Sequence, residues 1–381
     1  MRSSVSFWCL ALFGLLVICG VASAAMPGEK WVQTTASAGF PDRAGHAGLV
    51  YDDKMWIIGG STDGGITALN DTWYSADGTH WIQATSSAGF PARYEFSALA
   101  YDGKMWVIGG YDCKAALNDV WYSTDGSNWT RATASSGFIG RMALATAVFN
   151  NQMWVIGGFD GRFAWEDVWN STDGVNWTLA NETPGFSSRS GATAAAYDNR
   201  LWLIGGSKGH TALNDIWYSY DGVQWTEATA AAGFAPRAGH ASPVYDNKLW
   251  VIGGTDPDRA MNDTWYSTDG SNWTEATPSA AFPARFSFPG LVYDDRLWVI
   301  GGAATAQSTV GNDTWYSPAP ESDPGLLSMG NGSGVWLFAL LAVIILVAVA
   351  AVVIMKKRRA GADTRATGKD PKDKHHRKKK N

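Results

Sequence analysis

The sequence predicts an all-β fold, a six-bladed β-propeller, and three observations lead to this prediction. Eighteen of the 21 tryptophans recur at fixed places in units of 48 to 50 residues. Each unit repeats four short strand-like segments, and turn-forming pairs of residues separate them. Repeats of this length indicate solenoids or propellers, and four antiparallel strands per unit favour the propeller. The three tryptophan rows are Trp56, Trp106, Trp154, Trp202, Trp250 and Trp298; Trp73, Trp121, Trp169, Trp217, Trp265 and Trp315; and Trp31, Trp81, Trp129, Trp177, Trp225 and Trp273.

The fifth unit illustrates the four strands. Its segments are residues 240–245, 249–254, 262–267 and 272–274, which are rich in β-branched and aromatic residues. The pairs Asp246-Asn247 and Asp269-Gly270 separate them, and Asp, Asn and Gly tolerate the positive φ angles of tight reversals. No helical period is needed anywhere in the repeats.

An arginine precedes the first strand of every unit, and a glycine pair ends the second strand. With the tryptophan rows, these residues resemble the kelch repeat in six successive units, or about 290 residues. The resemblance implies a propeller that binds partners near its channel mouth, with the motif arginines at that mouth. The turn Ser-x-Asp-Gly-x-x-Trp is similar to the Asp-box of sialidase-like propellers but one residue shorter, so we interpret it as structural. The glycine pairs begin at Gly59, Gly109, Gly157, Gly205, Gly253 and Gly301.

The sixth unit ends before its fourth strand, because Pro318 follows Ser317 and proline cannot donate to a ladder. Residues 31–34 match residues 81–84, the fourth strand of the first unit. We therefore predict a propeller over residues 27–317 whose sixth blade is closed by a strand at residues 31–34.

The two ends of the chain predict export and membrane anchoring. Residues 1–24 have the pattern of a secretory signal helix, and residues 335–355 are 21 uncharged residues, long enough for one transmembrane helix. Residues 318–334 read as a stalk, and residues 356–381 as a disordered cytoplasmic tail that opens with four basic residues. The sequence thus predicts a single-pass type I protein of the cell membrane, with its propeller outside the cytoplasm.

The predicted cytoplasmic and extracytoplasmic parts of the chain carry net charges of opposite sign. The tail carries 12 Lys/Arg and 3 Asp, a net of +9; without the tail and without Arg2 of the signal, the predicted extracytoplasmic part has a net charge of −15. An acidic propeller argues against nucleic-acid binding. For the tail, three readings stay open: a solvated flank, attraction to anionic lipids, or a dilysine retrieval signal at Lys378 and Lys379.

Comparison of the six units separates recurrent from variable residues. The row Asp71, Asp119, Asp167, Asp215, Asp263 and Asp313 recurs, which is typical of packing or turn residues. Variation falls directly after the arginine and directly after the glycine pair. Because successive antiparallel strands reverse direction, these two segments lie on the same rim.

We predict that this rim binds a protein or a glycan, with no cofactor and no metal. The resemblance implies a role for the arginine row, although hydrogen bonds to neighbouring carbonyls or aspartates explain a recurrent arginine equally well. The arginines are Arg43, Arg93, Arg141, Arg189, Arg237 and Arg285. The predicted specificity residues are Tyr94, Glu95, Phe96, Tyr111, Phe159, Arg162, Trp165, His210, Phe286 and Phe288.

An exported carbohydrate-active enzyme is the alternative. A galactose-oxidase-like site would use Tyr111 and Cys113 with histidines, and a sialidase-like site would use three converging arginines with a tyrosine and acidic partners. The histidines show no metal-ligand spacing, so the binding protein is favoured over the enzyme. They are His46, His80, His210 and His240.

Nine Asn-x-Ser/Thr sequons occur in the sequence. Most arise from the repeat itself. Asn181 and Asn331 lie off the repeat pattern and are the predicted glycosylation sites.

Overall fold

The computed structural model describes residues 26–63, 65–304 and 310–319. The predicted signal helix, transmembrane helix and tail, and all but the first two residues of the stalk, lie outside this range. Within the described residues, no helix has the length and apolar character needed to cross a membrane.

The described residues form six four-stranded antiparallel sheets, which are the blades of the predicted propeller. Blade 1 contains β2 (Ala47–Tyr51), β3 (Lys54–Ser61), β4 (Ala68–Ser75) and β5 (Ile82–Thr85). Blade 2 contains β6 (Ser97–Tyr101), β7 (Lys104–Ile108), β8 (Val120–Ser123) and β9 (Thr130–Thr133). Blade 3 contains β10 (Ala145–Phe149), β11 (Gln152–Phe159), β12 (Ala164–Ser171) and β13 (Thr178–Asn181). Blade 4 contains β14 (Thr193–Tyr197), β15 (Arg200–Lys208), β16 (Thr211–Ser219) and β17 (Trp225–Thr229). Blade 5 contains β18 (Val244–Tyr245), β19 (Lys248–Thr255), β20 (Ala260–Ser267) and β21 (Thr274–Thr277).

Blade 6 is built from both ends of the propeller. It contains β22 (Gly290–Tyr293), β23 (Arg296–Ala303), β24 (Val310–Ser317) and, at its outer edge, β1 (Val32–Thr35). Val32 lies opposite Tyr316 in this antiparallel pair. The closing strand begins and ends one residue later than the sequence predicted.

The first tryptophan row forms the contact between blades. Trp56 of blade 1 packs on Gly126, in the turn between the third and fourth strands of blade 2, so closely that a Cβ on Gly126 would lie 2.0 Å from the indole. The same contact closes the ring, because Trp298 of blade 6 packs on Gly78 of blade 1. Only glycine leaves room for the indole of the neighbouring blade, which explains why Asp-Gly recurs in the turn.

A phenylalanine row, which the sequence analysis did not single out, supports the third tryptophan row. Phe40 meets Trp81 edge to face, with ring centroids 5.2 Å apart and an interplanar angle of 89°. Every blade has an equivalent pair, and such aromatic pairs stabilise beyond the area they bury. The pairs are Phe40–Trp81, Phe90–Trp129, Phe138–Trp177, Phe186–Trp225, Phe234–Trp273 and Phe282–Trp31.

The glycine pair interrupts the ladder between the second and third strands. The register of β3 against β4 shifts between Ile58 and Gly60, and Gly60 has a φ of +100°. A Cβ on Gly60 would lie 2.7 Å from the Cβ of His46. The pair therefore bends the strand where the chain of the same blade crosses close to it.

Candidate ligand-binding rim

We define the upper rim as the loops that enter the first strand of each blade, together with the hairpins between the second and third strands. The lower rim holds the remaining turns of each blade. Ala44 pairs with Ser61 and Tyr94 with Tyr111, and every blade has the equivalent bridge between its two upper segments. The prediction that the two variable segments share one rim is therefore confirmed.

Each motif arginine lies inside its blade. The Nη1 atom of Arg43 donates to the carbonyl of Gly59 at 2.8 Å and to Asp71 Oδ1 at 2.8 Å, while Nη2 donates to Asp71 Oδ2 at 2.7 Å. The Trp73 indole also donates to Asp71, and the guanidinium lies 5.5 Å from the Phe40 ring centroid. Bidentate ion pairs of this kind are strong and geometrically specific.

The same arginines join neighbouring blades. The amide of Arg93 donates to Leu69 and its carbonyl accepts from Gly60, both in blade 1, whereas its side chain binds Asp119 in blade 2. Burial alone would raise the pKa of Asp119, but the Arg93 guanidinium and a hydrogen bond from Trp121 hold that pKa below its usual value. The pairs are Arg43–Asp71, Arg93–Asp119, Arg141–Asp167, Arg189–Asp215, Arg237–Asp263 and Arg285–Asp313.

The six arginines are at most 4% exposed. They are therefore not accessible to a partner at the channel mouth, contrary to what the resemblance implied. The structure shows the alternative, a structural role, because every guanidinium is committed to an aspartate and to a carbonyl of its own blade.

Two predicted specificity residues, Phe96 and Phe288, are also buried. Their rings lie between blades. A Cβ on Gly59 would lie 3.1 Å from the Phe96 ring, and a Cβ on Gly253 would lie 3.1 Å from the Phe288 ring. The equivalent positions of blades 1 and 5 hold His46 and His240. Burial, with the charge of the adjacent arginine, lowers the pKa of both histidines to about 3. They are therefore uncharged side chains packed between blades.

The other predicted specificity residues stay at the surface of the upper rim or line its centre. Tyr94 and Tyr111 meet at an interplanar angle of 72° with centroids 5.6 Å apart. The exposed or half-buried members on the rim are Tyr94, Tyr111, Phe159, Arg162, Trp165, His210 and Phe286.

Three exposed apolar side chains on the upper rim were missed by the sequence analysis; one is Ile139, 49% exposed, in the loop that enters β10. Ile66 is 77% exposed and Phe163 is 62% exposed, at the tips of the hairpins of blades 1 and 3. The guanidinium of Arg162 lies 5.7 Å from the Phe163 ring centroid. The two residues at hairpin tips could have been found from the sequence. The other units have no large apolar residue at the equivalent place, so the blade itself does not require one.

A closed ring of backbone hydrogen bonds surrounds the propeller axis at the upper rim. One residue from each blade takes part, and each N–H donates to the carbonyl of its counterpart in the preceding blade at 2.7 to 2.9 Å. All six have left-handed backbone angles, with φ between +51° and +62°. We call this the axial ring; its members are Gly45, Glu95, Ala143, Gly191, Gly239 and Ser287.

Inside the axial ring lies a cavity of about 210 Å³, which all six blades line. Its wall is mostly glycine, alanine and hydroxyl-bearing residues. Glu95 is the single carboxylate among the described residues of the wall, and its Oε1 accepts a hydrogen bond from Ser287 Oγ at 2.7 Å. We call this space the axial cavity.

Sequence and structure comparisons agree with this geometry. The family model described as the KLHDC2/KLHL20/DRC7 Kelch-repeats domain matches residues 25–179 and 171–302. The chain belongs to the kelch-repeat family. Among solved structures, the one titled "Structure of YjhT" is similar in fold, with a TM-score of 0.61 and 16% identity, covering 74% of this kelch chain and 96% of that chain. No curated protein matches the sequence.

In this kelch propeller, the residues considered for an oxidase-like site do not meet. Tyr111 is on the upper rim with the exposed Cys113, whereas His46 and His240 lie between blades and His80 is on the lower rim. Across residues 26–63, 65–304 and 310–319, no group of three His, Cys, Asp or Glu side chains is placed to hold a metal ion.

The two predicted glycosylation sites differ in what the structure describes. The Asn181 amide donates to the carbonyl of Val223 at 2.7 Å, and its oxygen accepts from the Thr183 amide at 2.9 Å. The nitrogen that a glycan would modify is thus engaged in the fold. Asn331 lies outside the described residues.

Proposed function

We propose that this kelch propeller is a membrane-anchored, extracytoplasmic binding protein that recognises a protein or a glycan through its upper rim. The observation that carries the proposal is the exposed apolar surface of that rim in blades 1 to 3. Ile66 and Phe163 expose most of their side chains to solvent. Exposed apolar groups beside aromatic residues are typical of binding surfaces.

The lower rim has a different character, which supports this assignment. There the Tyr51 hydroxyl donates to the carbonyl of Gly103 in the next blade at 2.7 Å, and Tyr293 closes the same series onto Asp53. Lys54 pairs with Asp52 at 2.8 Å in its own turn. These polar groups serve the connection between blades, and the exposed apolar or aromatic side chains of the lower rim, Val175 and Tyr220, are 45% and 59% exposed, less than Ile66 and Phe163.

The path of the chain also favours the upper rim. The last propeller strand, β24, runs from Val310 at the upper rim to Ser317 at the lower rim. The chain therefore leaves the propeller at the lower rim, where Pro318 and Ala319 follow β24. A ligand on the upper rim would bind at the end of the propeller remote from that point.

The proposal is tested with two variants of the full-length chain. Ile66→Ser with Phe163→Ser removes the exposed apolar groups, while Val175→Ser makes the same change at a 45% exposed residue of the lower rim. Binding is measured against an array of glycans and an array of secreted proteins. We expect the rim variant to lose the ligands of the wild type and Val175→Ser to keep them; equal binding by all three proteins contradicts the proposal.

A further inference from the structure

We propose that the axial cavity receives one lysine side chain of a protein partner, with Glu95 as its counter-ion. The inference rests on the proposed function, because the lysine belongs to the partner that the upper rim binds. It names both the class of that partner, a protein, and the group that enters the centre of the propeller.

Glu95 occupies a position that the backbone reserves for small residues. Three members of the axial ring are glycine, and Glu95 itself has a φ of +53°, a left-handed angle that glycine adopts most readily. A charged side chain at such a position has no role in closing the ring, since the backbone alone makes those hydrogen bonds. Residues held at unfavourable backbone angles cluster at functional sites, which directs attention to its carboxylate.

The carboxylate is held over the axis by two other members of the ring. It extends past Gly45, where a Cβ would lie 3.3 Å from Glu95 Oε1, and it accepts the hydrogen bond from Ser287 of blade 6. Because Ser287 and Glu95 belong to blades on either side of blade 1, this bond fixes the carboxylate within the cavity rather than against its own blade.

No described cation neutralises this carboxylate. The nearest motif arginines in sequence, Arg93 and Arg141, each form a bidentate pair with the aspartate of their own blade. Burial raises the pKa of Glu95, and the hydrogen bond from Ser287 opposes that effect only in part. A half-buried carboxylate without a partner charge is unfavourable, so a cation that entered the cavity would be stabilised by pairing with Glu95.

The size and chemistry of the cavity favour lysine over arginine. A volume of about 210 Å³ is below the usual range for small-molecule sites and suits a single side chain. Within the described residues, Glu95 Oε2 has no donor, so the site presents one uncommitted oxygen to a point charge, whereas a guanidinium prefers both oxygens of a carboxylate. The methylene stem of lysine would lie along Ala143 and the glycines of the wall.

The surroundings of the cavity fit a protein segment that carries this lysine. Tyr94 directly precedes Glu95 and Phe286 directly precedes Ser287, so aromatic side chains of the upper rim border the axial ring. The part of the chain between the predicted signal and the predicted membrane segment has a net charge of −15, which would steer a basic segment toward it.

The cavity is probed directly with n-butylammonium, which has the stem and charge of a lysine side chain. Binding to the full-length chain is followed by NMR titration, with n-butanol and n-butylguanidinium as the neutral and the arginine-like analogues. Glu95→Gln removes the charge, and Asp258→Asn makes the same charge change at an exposed upper-rim residue. We expect Glu95→Gln to weaken n-butylammonium binding by about tenfold or more, and Asp258→Asn to change it by less than about twofold.

Three results would overturn the inference: no binding of n-butylammonium by the wild type, equal binding by Glu95→Gln, or equal binding of n-butanol. The melting temperature of each variant shows that it is folded. The partner found through the rim variants separates this inference from the proposed function. If Ile66→Ser with Phe163→Ser abolishes partner binding and Glu95→Gln leaves it unchanged, the lysine site is wrong and the binding rim stands; if neither affects binding, the rim itself is wrong.

Discussion

The amide of Gly28 donates a hydrogen bond to the hydroxyl of Ser317 at 2.6 Å, across 289 positions of the chain. In blade 5 the same bond joins Gly270 to Ser267, three positions apart within one turn. Blade 6 therefore has the turn of the other blades, divided between the start and the end of the propeller. Gly28 also accepts from Trp31 and Thr264, so it connects blade 6 to blade 5.

Substitution of Gly28 tests the closure of the ring. An alanine Cβ at this position would lie 2.3 Å from the Trp250 indole, in addition to the strain of a φ of +80°. We expect Gly28→Ala to lower the free energy of unfolding by about 2–4 kcal/mol, measured in urea. Gly209→Ala is the control, because Gly209 also has a positive φ but has open space around it; its cost is about 1 kcal/mol. Equal losses for the two variants would contradict the role of Gly28.

The ion pairs between the arginine row and the aspartate row predict that removal of one partner strongly lowers the free energy of unfolding. Asp119→Asn leaves the buried Arg93 without its counter-ion, and we expect a loss of about 3–5 kcal/mol in the free energy of unfolding. Asp102→Asn breaks the exposed pair with Lys104 and costs less than about 1 kcal/mol. Chemical denaturation of both variants checks this, and a small effect of Asp119→Asn would show that the pair is dispensable.

The Asp-Gly turns of the lower rim predict destabilisation by acid. Hydrogen bonds from the Asn128 side chain and amide lower the pKa of Asp125 to about 2, and Asp173 reaches about 2 through Asn176 in spite of slight burial. An unfolded aspartate titrates near 3.9, so the ionised form is stabilised by folding. The contribution is complete above about pH 4 and is lost as the pH falls toward 2.

Urea unfolding of the wild type and of Asp125→Asn between pH 7 and pH 2 measures this contribution. The difference in stability between the two proteins should shrink as the pH falls, since protonation removes what the substitution removes. A difference that is independent of pH would contradict the assignment.

Glu95 predicts the opposite dependence. Burial raises the pKa of Glu95, so folding favours the protonated form of this residue. Its contribution to the stability of the folded state is therefore complete below the unfolded pKa, and it declines as the pH rises through the folded pKa. We expect Glu95→Gln to be more stable than the wild type at pH 7, with the gap closing near pH 4. Thermal melts at both pH values check this; a variant that is less stable at pH 7 would mean that the carboxylate is already compensated.

The predicted topology is tested on cells. Protease added outside should cleave the propeller and leave the tail of residues 356–381 protected, because the positive-inside rule predicts that the four basic residues at its start lie in the cytoplasm. A chain that ends at residue 334 should appear in the medium with Ala25 as its first residue. Retention of that truncated chain in the cells, or an intact Met1, would contradict the prediction.

Much of the fold could be predicted because each blade repeats the same local requirements. Three tryptophans and a glycine pair belong to every unit and an Asp-Gly turn to the first five, so six sheets and the closing segment could be predicted from their spacing. The phenylalanine row was equally recurrent and was overlooked, since its partner, the third tryptophan row, is not adjacent in sequence. The roles of Phe96 and Phe288 could not be predicted in this way. Their variation among the six units indicated ligand binding, whereas both rings fill the space between two blades.

The sequence by itself determined the number of blades, the join of both ends in one sheet and the rim on which variation lies, because these depend on period and alternation. The tertiary structure decided which side chains remain free. Only there does Arg43 lie buried against Asp71, and only there does Glu95 face an axial cavity with Ser287 from another blade. The physical reason is that burial and charge compensation depend on contacts between blades, and no pattern within a single repeat records them.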